Sequence, residues 1–382
     1  MNTGNYIEEL IAFRRELHRY PEVSDEESET AARIKSYLQR LDPDRIVDGI
    51  GGHGIIAEFR GREKGPTVMF RCELDALPIP EKNDLPYASV HAGKGHLCGH
   101  DGHMSILLGL GHFLKDQRPS EGRVLLLFQP SEENGKGAER MIKDSAFREF
   151  EPDYIFAIHN LPGYPLHQVV LARGTFAAAS SGMRIELTGK SSHAAEPEKG
   201  INPAFGMARM INAFQDVLTV RNLFREFTLL TPIHVRLGSI AYGTSPGEGV
   251  IHLTLRSYLD SDMAMLKNEL KGLIMTIAKD ENLECNIDYE EVFPATANDE
   301  RCTQIAESAA RQEDFDAEHL KSPFKWSEDF GHFTGAYRGA LFGLGSGSDQ
   351  PALHNPDYDF PDELIPTGVT MYTNICRQIL SF

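Results

Sequence analysis

The chain has 382 residues, enough for two or three domains with large cores, and its 41% hydrophobic and 25% charged residues are ordinary for a globular protein. A formal net charge of −18 and a pI near 5.3 exclude general affinity for nucleic acid or an anionic membrane surface, since both call for basic charge. An anionic substrate stays compatible, because one Arg can dominate a small pocket.

Met1–Asn5 leads into an acidic amphipathic stretch without the basic start and apolar run of a signal peptide. No apolar run approaches the length of a membrane span. The five cysteines, Cys72, Cys98, Cys285, Cys302 and Cys376, are odd in number and scattered. That pattern fits a reducing compartment rather than a disulfide framework, so a cytoplasmic location is expected.

Tyr6 to Arg19 carries Ile7, Leu10, Ile11 and Leu17 at helical spacing. Ser24-Asp25-Glu26-Glu27 has the pattern of a capping box opening a second helix, with Ala31, Ile34 and Leu38 on one face. Strands are expected at 54–59, 67–72, 124–128 and 154–158, with helices around 104–113 and 138–143. This alternation predicts a layered α/β domain with a largely parallel sheet, whose ligands would sit just beyond the strand ends. From about Arg173 the pattern changes. Met183 to Leu187 alternates, 202–217 reads as a helix, 234–237 and 250–256 as strands, 263–278 as a helix and 285–289 as a strand.

The chemistry concentrates in short motifs. Cys98-Gly99-His100-Asp101-Gly102-His103 places a thiol and imidazoles within six residues, close to His91 and His96. Ser131-Glu132-Glu133 follows an apolar run and a proline, so the backbone is leaving a sheet there and adjacent side chains can point differently. Ile158-His159-Asn160 and Leu353-His354-Asn355-Pro356 come later. Thiolate, imidazole and carboxylate together form the ligand set of a zinc-type site. A further carboxylate beside such a site can act as general base. Cys98 and His100, two apart, can aim at one point, and a thiolate can bridge two cations.

These motifs, with Leu17-His18-Arg19-Tyr20-Pro21-Glu22, Asp75-Ala76-Leu77-Pro78-Ile79, Ser191-Ser192-His193-Ala194-Ala195 and Ser327-Glu328-Asp329-Phe330, resemble in their joint order the aminoacylase and hippurate hydrolase group of a two-metal amidohydrolase and carboxypeptidase family of zinc-exopeptidase type. The resemblance runs nearly end to end. It implies a discontinuous catalytic domain, 1–174 and 291–382, around an inserted α+β lid and dimerisation domain, 175–290, with a four-stranded sheet and two helices. It assigns Cys98, His100, Glu133, His159 and His354 as ligands of two divalent metals, Zn²⁺ or Mn²⁺ with Co²⁺ or Ni²⁺ as further choices, and Glu132 as the general base. Asp75 would support a ligand imidazole, His100 first, by accepting its far ring N–H. His193 would stabilise the oxyanion from the partner subunit of a homodimer. Arg256 would contact the substrate carboxylate.

Asp101 and His103 would brace the loop or open the next helix, and His91 and His96 are expected to be loop histidines. The sequence departs from the family pattern at Cys72-Glu73, where a small residue and a short acid are usual, and at Gly243, where an Asn usually grips substrate. The expected reaction is metal-dependent hydrolysis of the amide of an N-acyl amino acid or related small amide, releasing a carboxylic acid and an amine. A metallo-dipeptidase, a carboxypeptidase or an N-acetyl-amino-acid deacetylase is the nearest alternative. More distant are a cysteine hydrolase using Cys98 with His100, which leaves Glu133, His159 and His354 without a role, and a non-catalytic binding protein.

Overall fold

The computed structural model describes residues 3–219 and 223–382; Met1 and Asn2, at the start of the stretch read for a signal peptide, lie outside it. The chain forms two compact units, one of Met1–Phe176, Thr296–Pro323 and Glu328–Phe382, the other of Ala177–Ala295 and Phe324–Ser327. The short return at Phe324–Ser327 has a local cause: the Ala178 N–H donates to the carbonyls of Phe324 and Trp326, each at 3.0 Å.

The first unit is built on an eight-stranded sheet. Its order is Arg45–Ile50, Gly54–Arg60, Glu121–Gln129, Glu63–Glu73, Tyr154–Pro162, Gly339–Gly347, Val169–Leu171 and Ala317–His319. The four strands from Glu121–Gln129 to Gly339–Gly347 run parallel to one another. Antiparallel pairing is confined to the margins, at Arg45–Ile50, Gly54–Arg60 and Val169–Leu171. The central strands are nearly continuous apolar runs, such as Val68-Met69-Phe70 and Val124 to Phe128, as burial on both faces requires. Helix His100–Asp116 is buried along most of its length, which its apolar residues all round its circumference dictate. The strand Gly339–Gly347 escaped sequence reading because four glycines interrupt its apolar pattern.

The expected capping box does not form. The helix runs Ser28–Gln39 with Glu27 at its N-cap and no side-chain cap from it. Glu22 instead accepts the Thr30 N–H at 2.6 Å and its hydroxyl at 2.8 Å. Ser24 and Glu27 are thereby released to bind elsewhere, as described below.

Helix Thr3–Arg19 is tied to helix His100–Asp116 by buried charge. Arg14 pairs with Asp101 at 3.1 Å and Asp359 at 2.7 Å. His18 sits between Asp101 at 2.9 Å and Glu81 at 3.0 Å. Burial alone would lower the proton affinity of His18, but the hydrogen bonds to Asp101 and Glu81 overcome it and raise the pKa to about 9. Because the folded value exceeds the unfolded one, this stabilisation is full below about pH 6.5 and lost as pH rises through about 9. Urea denaturation should therefore show stability falling over that window by on the order of 3 kcal/mol, with the fall absent in His18→Gln. An equal slope in the variant would assign the effect to other groups.

The second unit holds a four-stranded antiparallel sheet in the order Thr228–Leu237, Glu248–Ser257, Ala179–Thr188, Glu284–Phe293. Helices Ala204–Thr219 and Asp260–Asp280 cover one face. Met207, Met210 and Phe214 from one, and Leu266, Leu270 and Ile274 from the other, join alternate strand residues Met183, Ile185, Leu187, Ile251, Leu253 and Leu255 in a single core. Among the described residues no helix is long and apolar enough to cross a membrane.

Candidate metal centre

The parallel strands deliver their chemistry at their C-terminal ends, as open α/β sheets do. Asp75 follows Glu63–Glu73, and Glu132 and Glu133 follow Glu121–Gln129. His159 lies near the end of Tyr154–Pro162, in register with Gly343. His354 lies in the loop beyond Gly339–Gly347. Cys98 and His100 flank Gly99, whose φ of +94° and close approach to Asn160 (an added Cβ would stand 2.6 Å from Asn160 Oδ1) require glycine. Ser131 and His354 also have positive φ, +53° and +66°. Such conformations persist where the surroundings impose them. Glu27 Oε1 accepts the Ser131 N–H at 2.7 Å, and the His354 N–H donates to the Leu97 carbonyl at 2.9 Å.

These elements bring Cys98, His100, Glu132, Glu133, His159 and His354 together. Cys98 Sγ is 3.7 Å from His159 Nε2. Glu133 Oε1 is 3.9 Å from His100 Nε2 and 3.6 Å from His354 Nε2. Donors bound to one ion at about 2.0–2.3 Å stand within about 4.6 Å of each other. Among the described residues five trios keep their donor atoms within 4.8 Å, and two of them share Cys98: Cys98 with His100 and His159, and Cys98 with Glu133 and His354. A thiolate shared by two cations needs that arrangement. His100 Nε2 and Glu133 Oε1 are buried and make no hydrogen bond. Isolated buried polar atoms of this kind are costly, so the donor set fits divalent cations.

Asp75 holds this centre from behind, though not by the contact expected. The His100 Nδ1–H donates to its backbone carbonyl at 2.8 Å, while carboxylate Oδ1 stands at 3.6 Å. Oδ2 accepts the Glu133 N–H at 3.0 Å and the Ser24 hydroxyl at 2.7 Å. One residue thus orients an imidazole and a carboxylate.

Burial and the neighbouring His103 depress the pKa of His159 to about 3, which keeps its ring neutral, the state that binds metal. Burial, with the Glu133 and Glu132 carboxylates, pushes the Cys98 thiol well above its ordinary value. Without a cation against it, this thiol is a poor nucleophile. Burial raises Glu133 to about 7 against the opposing His100. Burial and then Glu328 push Glu132 well above the carboxylate range.

Several buried residues around Glu132 had no role in the sequence reading. The Asp329 N–H donates to Glu132 Oε1 at 3.3 Å. Arg71, fully buried, donates to Gln129 Oε1, Glu328 Oε1 and Asp329 Oδ1, each at 2.8 Å, and to Glu73. The available signal was Arg71 and Glu73 inside an otherwise apolar strand, since charges in such a run must be paired. Asp101 and His103 both lie in the first turn of their helix and are buried. His91 and His96 both lie in the loop between Glu63–Glu73 and His100–Asp116, as expected; His91 is exposed, whereas His96 is buried, with neither ring nitrogen hydrogen-bonded. Burial lowers its pKa to about 4, so it is neutral.

His193 and Arg256 belong to the second unit. His193 is exposed on a two-residue strand pairing with Thr244–Ser245. Its Nδ1 accepts the Ala195 N–H at 3.0 Å, which puts the ring proton of the neutral form on Nε2. Arg256 Nη1 donates to the Lys325 carbonyl at 2.7 Å and to Ser327 Oγ at 3.1 Å. At Gly243 an added Cβ would meet nothing within 4 Å.

Residues 69–378 match peptidase family M20/M25/M40. The chain is 32% identical over 370 residues to an N-acetyl-L-cysteine deacetylase of Bacillus subtilis, covering 96% of this chain and 86% of that protein. It is 29% identical over 377 residues to an N-acetyldiaminopimelate deacetylase of Ligilactobacillus salivarius, covering 97% of each. A crystal structure of a dinuclear metal-binding M20 peptidase from Bacillus subtilis superposes with a TM-score of 0.84 at 24% identity, covering 99% of each chain.

Proposed function

The chain belongs to peptidase family M20/M25/M40, and we propose that it hydrolyses the amide of an N-acyl amino acid at a two-metal centre formed by Cys98, His100, Glu133, His159 and His354. It is an amidohydrolase of that family. The observation that carries the assignment of residues is the pair of donor trios sharing Cys98, with His100 Nε2 and Glu133 Oε1 buried and unbonded between them. Zn²⁺ or Mn²⁺ suits this mixed set, with Co²⁺ and Ni²⁺ next. When bound, the metals supply Lewis acidity at the scissile carbonyl and acidify water.

The chain's own groups do the rest. Glu132, oriented by the Asp329 N–H, takes a proton from the attacking water on its carboxylate and passes it to the leaving amine. His193 donates from Nε2 to the developing oxyanion, and Arg256 receives the substrate carboxylate. By the same resemblance His193 acts from a second copy of the chain. The edge strand Thr228–Leu237 supports a homodimer, since among the described residues it pairs on one side only and exposes Ile233 and Val235 at 62% and 46%. A reducing, cytoplasmic setting suits five free thiols.

N-acetyl amino acids are the first substrates to test, because two relatives are named for removing acetyl groups. A panel of N-acyl amino acids and dipeptides, assayed with metal content measured in parallel, should show turnover of the former that chelator abolishes and metal restores. Activity that survives chelation but not thiol alkylation would point to Cys98 as nucleophile instead. Elemental analysis of protein purified without chelator should approach two ions per chain, and His354→Ala should lower that value. Metal content unchanged by both Cys98→Ala and His354→Ala would overturn the site.

A further inference from the structure

Asn160 follows His159 in the strand Tyr154–Pro162, and the chemistry above makes no use of it. Its backbone carbonyl accepts the His159 Nδ1–H at 2.9 Å, which leaves His159 Nε2 facing the Cys98 thiol. Its side chain is fully buried and held on three sides. Oδ1 lies 2.6 Å from His103 Nε2, and Nδ2 donates to the Tyr358 hydroxyl. On the third side the amide fills the space over Gly99, between Cys98 and His100. The backbone N–H of Asn160 lies 3.3 Å from the same His103 nitrogen.

The chain of contacts continues inward. His103 Nδ1 lies 2.6 Å from Glu73 Oε2, so the ring spans Asn160 and the Glu73 carboxylate. The other oxygen of Glu73 accepts from Arg71, which also binds Glu328 and Asp329 beside Glu132. His103 sits one turn after His100 on the same helix, so its contact with Asn160 ties the Cys98-Gly99-His100 turn to the strand carrying His159. That turn is fixed on its other side by Asp75. Asn160 therefore sits at the gap between donors supplied by two distant parts of the chain.

We propose that Asn160, braced by His103 and Glu73, is a positioning residue that sets the separation of His159 from the Cys98-Gly99-His100 turn and so the affinity of the metal site those three residues form. This rests on the two-metal reading above. Without the amide, only the 3.3 Å contact of the Asn160 backbone N–H with His103 Nε2 joins the helix turn to the strand, and His159 Nε2 can drift from Cys98 Sγ. The neighbouring site, with Glu133 and His354, is tied to Asp75 and Leu97 and is left in place.

The test is Zn²⁺ affinity by chelator competition on the full chain, together with the melting temperature of the metal-free protein. Asn160→Ala and His103→Leu should bind one of the two ions about 10–100-fold more weakly. The other ion's affinity and the metal-free melting temperature should change little, and saturating Zn²⁺ should restore much of kcat. His103→Gln, which can still reach Asn160, should lie between His103→Leu and wild type. If Asn160→Ala does not fold, Asn160→Ser and His103→Gln carry the comparison. His159→Ala is the control: if it retains both ions, the two-metal reading itself fails. If His159→Ala loses an ion while the Asn160 and His103 variants bind both as wild type does, the positioning role is overturned and the metal centre stands. Equal weakening of both ions with a matching fall in metal-free stability also overturns it, since that is a general packing defect.

Discussion

Glu132→Gln, if Glu132 is the base as proposed, should lose roughly 10²–10⁴ in kcat while keeping its metal. The substitution preserves the shape of the side chain and an oxygen to accept the Asp329 N–H, which lies 3.3 Å from Glu132 Oε1, but removes the proton acceptor. Glu133→Ala should behave differently, because Glu133 Oε1 lies 3.9 Å from His100 Nε2 and 3.6 Å from His354 Nε2, among the proposed ligands; it should lose metal, and activity should fall as a consequence. Metal analysis beside kcat for the two variants separates the roles. Near-normal turnover by metal-loaded Glu132→Gln on a good amide substrate would make another group the base.

His193→Ala should lose about 10²–10³ in kcat if His193 is the oxyanion donor proposed above, the effect of removing one such donor. It should leave metal content unchanged, since His193 contributes nothing to the donor trios. If the donor comes from a second copy, mixing His193→Ala with Glu132→Gln creates, in each mixed dimer, one site with both wild-type groups. Activity should then rise above that of either variant alone, with differently tagged chains proving that subunits have exchanged. Verified mixed dimers without recovered activity would mean that His193 works within its own chain or not in catalysis.

The parallel core was legible where apolar runs were uninterrupted. Val68-Met69-Phe70, Val124 to Phe128 and Tyr154 to Ile158 were each expected as strands, and the structure extends them. Gly339–Gly347 was not expected, because glycines carry no pattern and its fit comes from the strand beside it. The capping box failed for a related reason. Ser24 and Glu27 have the right spacing for a cap, but Asp75 and Ser131, far away in sequence, offered them buried partners.

The sequence by itself determined the inventory: a thiol, imidazoles and adjacent carboxylates in short motifs, apolar runs of strand and helix length, and an acidic balance that argues against general affinity for polyanions. Those properties are local, since side-chain chemistry and hydrophobic period are written in neighbouring residues. Tertiary structure alone decided which donor faces which, that the Asp75 carbonyl rather than its carboxylate takes the closer contact with His100, and that Arg71 pairs with Glu73, Glu328 and Asp329. It also decided that Asn160 stands between His103 and Gly99. Each of these contacts joins residues brought together by the packing of a buried sheet. Inside it an unpaired charge or amide is costly, so polar groups take whichever partner the fold places within reach.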